Sequence, residues 1–127
     1  MDIDQVLPQL CVGQSPKTVE DLDMLNHEYG ITAVLCLQTD GEIGKATLGW
    51  DRMEAYYRNS GMDIRRVPVP GDPDCLRTSL PKCVEVLDGL LRGGHKVYVH
   101  CDLGMTRAPT AVVAYLHWVQ DWGFEEA

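Results

Sequence analysis

The chain has 127 residues, 45% of them hydrophobic and 24% charged, enough to enclose one compact core and no more. A formal net charge of −8 argues against nucleic acid or an anionic membrane as the main partner, because neither would meet a basic patch. Cys11, Cys36, Cys75, Cys83 and Cys101 make an odd count with no C-x-x-C pair, which points to reduced thiols in a reducing compartment rather than a disulfide framework. The histidines show no metal-ligand spacing, so neither a metal nor a cofactor is expected, and no signal peptide, transit segment or membrane span is visible.

Taken in order, Val6 to Val12 reads as a short first strand with Pro8 at its edge. Ser15-Pro16 then opens a helix: Ser15 caps, Pro16 takes the first turn, and Glu20 and Asp21 suit the positive end. Val19, Leu22 and Leu25 form its apolar stripe and Gly30 closes it. Ile31 to Leu37 is a continuous apolar run, the mark of a buried parallel strand. After a polar loop, Trp50 to Asn59 reads as a short helix with Met53 and Tyr56 or Tyr57 inward. Met62 to Val69 reads as a strand that runs out into Pro70-Gly-Asp-Pro-Asp-Cys75.

Ser79 is expected to cap another helix, with Pro81 in its first turn and Val84, Leu87, Leu90 and Leu91 facing the core. Gly93-Gly94 ends it. A strand from Lys96 to His100 comes next, then a helix from Arg107 whose apolar periodicity runs to Trp122, with Pro109 in its first turn. Strands alternating with helices imply a single α/β domain over residues 1–127, a layer sandwich with a central, mostly parallel sheet. Its functional loops should gather beyond the carboxyl ends of the strands.

The chemistry concentrates in His100-Cys101-x-x-Gly104-x-x-Arg107, between an apolar strand and a helix. A tight loop there aims its backbone N–H groups inward and ends on a helix N-terminus, which makes an anion cradle from Asp102, Leu103, Gly104, Met105, Thr106 and Arg107. The Arg107 guanidinium adds a planar fork of donors matched to phosphate oxygens. The same positive surroundings should hold Cys101 as a thiolate, a nucleophile aimed at phosphorus. Two roles stay open for His100: shaping the loop through a backbone hydrogen bond, or tuning that thiolate.

This string resembles the signature of the cysteine-dependent phosphatases, the protein-tyrosine and dual-specificity superfamily. Arg107-Ala-Pro109, Val34-Leu-Cys-Leu-Gln38, Gly94-His-Lys-Val-Tyr-Val-His-Cys101 and Tyr115-Leu-His-Trp-Val119 sharpen the resemblance toward the glucan phosphatases, laforin and the starch-excess phosphatases of plants and algae. The resemblance implies a dual-specificity phosphatase fold that usually continues past residue 127 with further helices, so the chain is expected to be part of a longer protein. It also implies removal of phosphate monoesters from starch-like polymers through a cysteinyl-phosphate, in the plastid or cytoplasm.

In such enzymes an Asp on a loop some thirty residues before the Cys acts as general acid. Asp72 is the candidate here and Asp74 the alternative, although a strict count places the acid near Pro70 or Gly71. Ala108 stands where most relatives carry Ser or Thr, and Thr106 or Thr110 is the substitute hydroxyl. Trp50 is the candidate sugar platform, with Tyr56 or Tyr57 beside it. A carbohydrate-binding module or protein partner outside this chain is a further expectation. Two other readings stand beside the glucan phosphatase: a phosphatase-like scaffold that binds phosphate without efficient turnover, and a phosphatase for phospho-Tyr or phospho-Ser/Thr protein.

Overall fold

The apolar runs of the sequence become the middle of a sheet. The computed structural model describes residues 3–39, 41–42, 50–69, 73–101 and 107–119, with the side chains of Trp50, Pro73, Cys75 and Leu76 outside that description. Its strands are β1 (Ile3–Leu7), β2 (Leu10–Gly13), β3 (Ala33–Cys36), β4 (Asp63–Arg66) and β5 (Val97–His100). They lie in the order β1-β2-β5-β3-β4. Only the β1–β2 pair is antiparallel; β2–β5, β5–β3 and β3–β4 are parallel. The fully buried strands β3 and β5 therefore take the interior positions, as a strand covered on both faces requires.

Register aligns the carboxyl ends. Gly13 pairs with His100, His100 with Cys36, and Cys36 with Arg66, so one row of residues crosses four strands. The residues just beyond that row, Cys101 above all, emerge together at one edge of the sheet.

The two faces divide by side-chain alternation. Leu10, Val12, Ala33, Leu35, Val97 and Val99 pack against Cys83, Val84 and Leu87 of α3 (Pro73–Arg92) and Ala108, Ala111 and Tyr115 of α4 (Arg107–Trp118). Cys11, Val34 and Tyr98 face the other way, onto Leu22 and Leu25 from α1 (Val19–Asp23) and its π-helical continuation Met24–Glu28, and onto Met53 and Tyr57 of α2 (Trp50–Asn59).

Three sequence expectations are corrected. The first strand is a hairpin, because Pro8 lacks the N–H that a continuous ladder needs and falls in the turn between β1 and β2. Ser15 does not cap α1. It is buried and donates to Gln38 Oε1 at 3.4 Å, while Thr18 caps by accepting from the Asp21 N–H, and Val19 is 42% exposed rather than part of the inward stripe. The helix expected from Ser79 begins at Pro73, which supplies the N1 proline, and Asp74 sits in its first turn. Pro81 is then interior, where it removes one hydrogen bond from a 20-residue helix that its apolar face still anchors. The last helix is described to Trp118, and the expected stretch beyond Val119 lies outside the described residues.

Gly94 ends α3 with φ +86°: its N–H reaches the Leu91 carbonyl and the next N–H, of His95, reaches the Leu90 carbonyl. Gly89 lies inside α3 with open space around its Cα. The two glycines should respond oppositely to alanine. Gly94→Ala forces a Cβ into the left-handed region and costs about 1–2 kcal/mol. Gly89→Ala gains about 0.5–1 kcal/mol by removing backbone freedom from the unfolded chain. Urea unfolding of the two variants against the parent checks both signs.

Candidate active site

Cys101 comes directly after the central strand β5. It is a free thiol, 2% exposed, in contact with the cluster that holds Leu35, Leu37, Val99 and Ala108. Arg107 is the first residue of α4, and buried Ala108 seats that helix start against the sheet. The strand–loop–helix context expected for the signature is thus present at both ends. Asp102, Leu103, Gly104, Met105 and Thr106 lie outside the described residues, as does Asp72. Trp50 opens α2, but its side chain is also outside the description. Asp74 is exposed within α3, its carbonyl accepting from Thr78 Oγ1. Thr110 lies in the first turn of α4.

A residue that the sequence reading missed holds the arginine. Glu42 takes Arg107 in a bidentate pair, with Nη1 donating to Oε1 and Nη2 to Oε2, each at 2.5 Å. Nη1 also donates to the Val69 carbonyl at 2.7 Å. The side chains are only 11% (Arg107) and 24% (Glu42) exposed. Glu42 is itself fixed by a capping box: Thr39 N–H and Thr39 Oγ1 donate to Oε1, and the Glu42 N–H donates to Thr39 Oγ1. The Arg107 hydrogen bonds, ahead of the Thr39 ones, hold the Glu42 carboxyl down at about 2. The signal was the Thr39-x-x-Glu42 spacing, a helix-start pattern with nothing local to say that its carboxylate crosses to the strand–loop–helix unit.

Cys36 locates these groups relative to one another. Burial pushes its thiol up to about 11; a hydrogen bond at Gln38 and the Arg66 charge oppose this, and Cys101 and Glu42 add smaller upward effects. Cys36, at the carboxyl end of β3, therefore lies within electrostatic reach of both Cys101 and Glu42.

His100 is fully buried and lies stacked on Tyr98, with ring centroids 5.7 Å apart. Burial lowers it from 6.5 to about 4, so the ring is neutral at physiological pH. Its Nδ1 faces the Cys101 carbonyl at 3.4 Å, and a carbonyl can only accept, so Nδ1 carries the proton. Of the two roles left open, the backbone hydrogen bond is the one observed; an imidazolium beside the thiol is not.

These two groups contribute to the acid limb of stability. The unfolded chain protonates His100 once pH falls below 6.5, whereas the folded chain resists until about 4, so stability drops across that window. The Glu42 pair stabilises above the ordinary carboxylate value of 4.5 and is lost only as pH falls toward about 2. Urea midpoints should therefore decline between about pH 7 and about pH 4.5, through His100 and ahead of any Glu42 contribution. A flat midpoint over that range contradicts a neutral buried His100.

With this geometry, residues 14–127 match the family described as dual specificity phosphatase, catalytic domain. Laforin of Mus musculus is 33% identical over 137 residues, covering 99% of this chain and 42% of laforin. The chloroplastic phosphoglucan phosphatase LSF1 of Arabidopsis thaliana is 33% identical over 128 residues, covering 100% of this chain and 22% of its own length. The chain thus spans less than half the length of these curated relatives. The fold is similar to that of the human tyrosine phosphatase-like serine/threonine/tyrosine-interacting protein, with TM-score 0.73 and 23% identity, covering 98% of this chain and 78% of that one. A mostly parallel five-stranded sheet flanked by helices, a buried Cys101 at its edge and Arg107 opening the next helix agree with the sequence match: the chain belongs to the family of dual-specificity phosphatase catalytic domains.

Proposed function

We propose that this domain hydrolyses phosphate monoesters of a glucan through a phosphate ester formed on Cys101. The observation that carries the chemistry is a buried thiol at the end of the central strand, with an arginine opening the next helix and clamped by Glu42. Arg107 and the amides from Asp102 to Thr106 bind the phosphoryl oxygens. The Cys101 thiolate attacks phosphorus, the P–O ester bond breaks, and Asp72 gives its proton to the leaving oxygen. Water then attacks the thiophosphate, Asp72 takes the water proton, and the S–P bond breaks to release inorganic phosphate. The Arg107–Val69 bond supports Asp72 as the acid, since it holds the chain three residues before Asp72 at the arginine. No metal or other cofactor enters any step.

The likeness to laforin and to a phosphoglucan phosphatase supports the glucan as substrate. A neutral polymer is also compatible with a net charge of −8. Trp50 is the sugar platform in this reading. The free thiols Cys11, Cys36, Cys83 and Cys101 fit a reducing compartment, plastid or cytoplasm. A binding module elsewhere in a longer protein would raise affinity for the polymer. Ala108, fully buried with no hydroxyl after Arg107, favours the second reading, a cradle that binds phosphate with little turnover.

Phosphate release from an aryl phosphate, from phosphorylated amylopectin and from a phosphopeptide decides between them. The parent should act on the first two and prefer amylopectin to peptide. Cys101→Ser should abolish release, and Asp72→Asn should lower the rate by about 10²–10⁴. If the parent is as inactive as Cys101→Ser on every substrate yet binds tungstate tightly, the second reading replaces the first. Glu42→Ala frees the Arg107 fork to wander and should cost about 10–100-fold in kcat/KM, with Glu42→Gln between it and the parent. Steady-state kinetics on the aryl phosphate measure both.

A further inference from the structure

Two polar atoms on the α1–α2 side of the sheet are buried with no hydrogen-bond partner among the described residues: Tyr57 Oη and His100 Nε2. Their chemistry is complementary. The Nδ1–H of His100 is directed at the Cys101 carbonyl, so the neutral ring leaves Nε2 with a bare lone pair that needs a donor. Tyr57 is fully buried, and desolvation keeps its phenol protonated, a donor that needs an acceptor.

The fold brings them to one place. Cys36 and His100 are direct partners on adjacent strands. Tyr98 and His100 alternate to the same face, where their rings stack. Tyr57 packs into the cluster that contains Tyr98, and after burial the groups acting most on its phenol are Cys36 and Tyr98. The strand partner and the ring-stacking partner of His100 are thus the two groups that act most on the Tyr57 phenol after burial, and one of them, Tyr98, shares its apolar cluster. An unpaired buried donor or acceptor costs about 1–3 kcal/mol, which a shared partner recovers.

We infer that Tyr57 is a positioning residue for the nucleophile: one internal water joins its hydroxyl to His100 Nε2, and this fixes the tautomer whose Nδ1–H holds the Cys101 carbonyl. Such a water accepts from the phenol and donates to the imidazole, and the neighbouring Cys36 sulfur offers a weak third contact. The part played in catalysis rests on Cys101 being the nucleophile; the link between Tyr57 and His100 does not.

The test is the pair of ring-nitrogen resonances of His100 in histidine-labelled protein, with Tyr57→Phe and, as control, Tyr56→Phe, whose hydroxyl is donated to Asp23. The parent and Tyr56→Phe should show a single Nδ1–H tautomer. Tyr57→Phe should show a mixture of the two, together with a fall of about three- to tenfold in kcat on the aryl phosphate and KM nearly unchanged. Deleting one buried hydroxyl leaves the ring packing in place, so the variant is expected to fold. An unchanged His100 tautomer in Tyr57→Phe overturns the proposal, above all if that variant is more stable than the parent, as loss of an unpaired hydroxyl would make it. A tautomer shift in a protein that releases no phosphate supports the Tyr57–His100 link and counts against the phosphatase reaction alone.

Discussion

The site depends on how one guanidinium is held. Arg107 carries five donors on a long, rotatable stem, and a phosphate-binding fork is useful only if its plane is set in advance. Here the plane is set by Glu42, through two parallel bonds, and by the Val69 carbonyl. Glu42 in turn is immobilised by Thr39, just past the end of β3. Three chain segments that are far apart in sequence, after β3, after β4 and at the start of α4, are therefore tied at one point. The same pairing brings a negative charge beside the positive one. In the proposed reaction, attraction for a dianionic phosphate would then rest on the N-terminus of α4 as well as on the arginine. Fixing direction while giving up net charge suits a site whose ligand must be oriented and not merely captured.

Beneath the site lies a polar layer that the apolar sequence runs conceal. Ser15 and the Cys36 thiol both donate to Gln38 Oε1, Arg66 donates to the Gln38 carbonyl, and Tyr98 donates to the Gln14 carbonyl. Gln38 and Ser15 are buried although neither belongs to an apolar pattern. Polar groups in such a place are stabilising only when paired, and the pairing here joins the ends of β2, β3 and β4. His100 belongs to this layer. Burial keeps it uncharged, so its contribution to Cys101 is through the backbone carbonyl and not through a positive charge.

Family membership and site geometry bear on different questions. The match over residues 14–127 and the likeness of fold assign the domain. The clamp on Arg107 and the burial of Cys101 are the features on which the proposed phosphate chemistry stands. Ala108 belongs with the geometry. Its methyl seats α4 on the core, where a hydroxyl would have had to find a partner.

The signature from His100 to Arg107 was legible in the sequence because its chemistry and its strand–loop–helix setting are both local. So were β3 and β5, since continuous apolar runs of that length admit few other fates. Helix starts were read less well: Ser15 and Thr18 are both acceptable caps, and only packing of Leu22 and Leu25 chose Thr18 while drawing Ser15 inward to Gln38. Pro81 looked like a beginning because a proline's local cost is visible in sequence and the compensating apolar face of a 20-residue helix is not. Glu42 could not have been chosen at all, because its role arises from a contact with Arg107 that lies 65 residues away in sequence. Tyr57 was legible as an inward residue of its helix, but its neighbour Tyr98 in the apolar cluster was not. Composition and spacing determined the chemistry available to this chain, and the parallel register of β3 against β5 decided which side chains meet, because a single-residue slip would turn each of them to the opposite face.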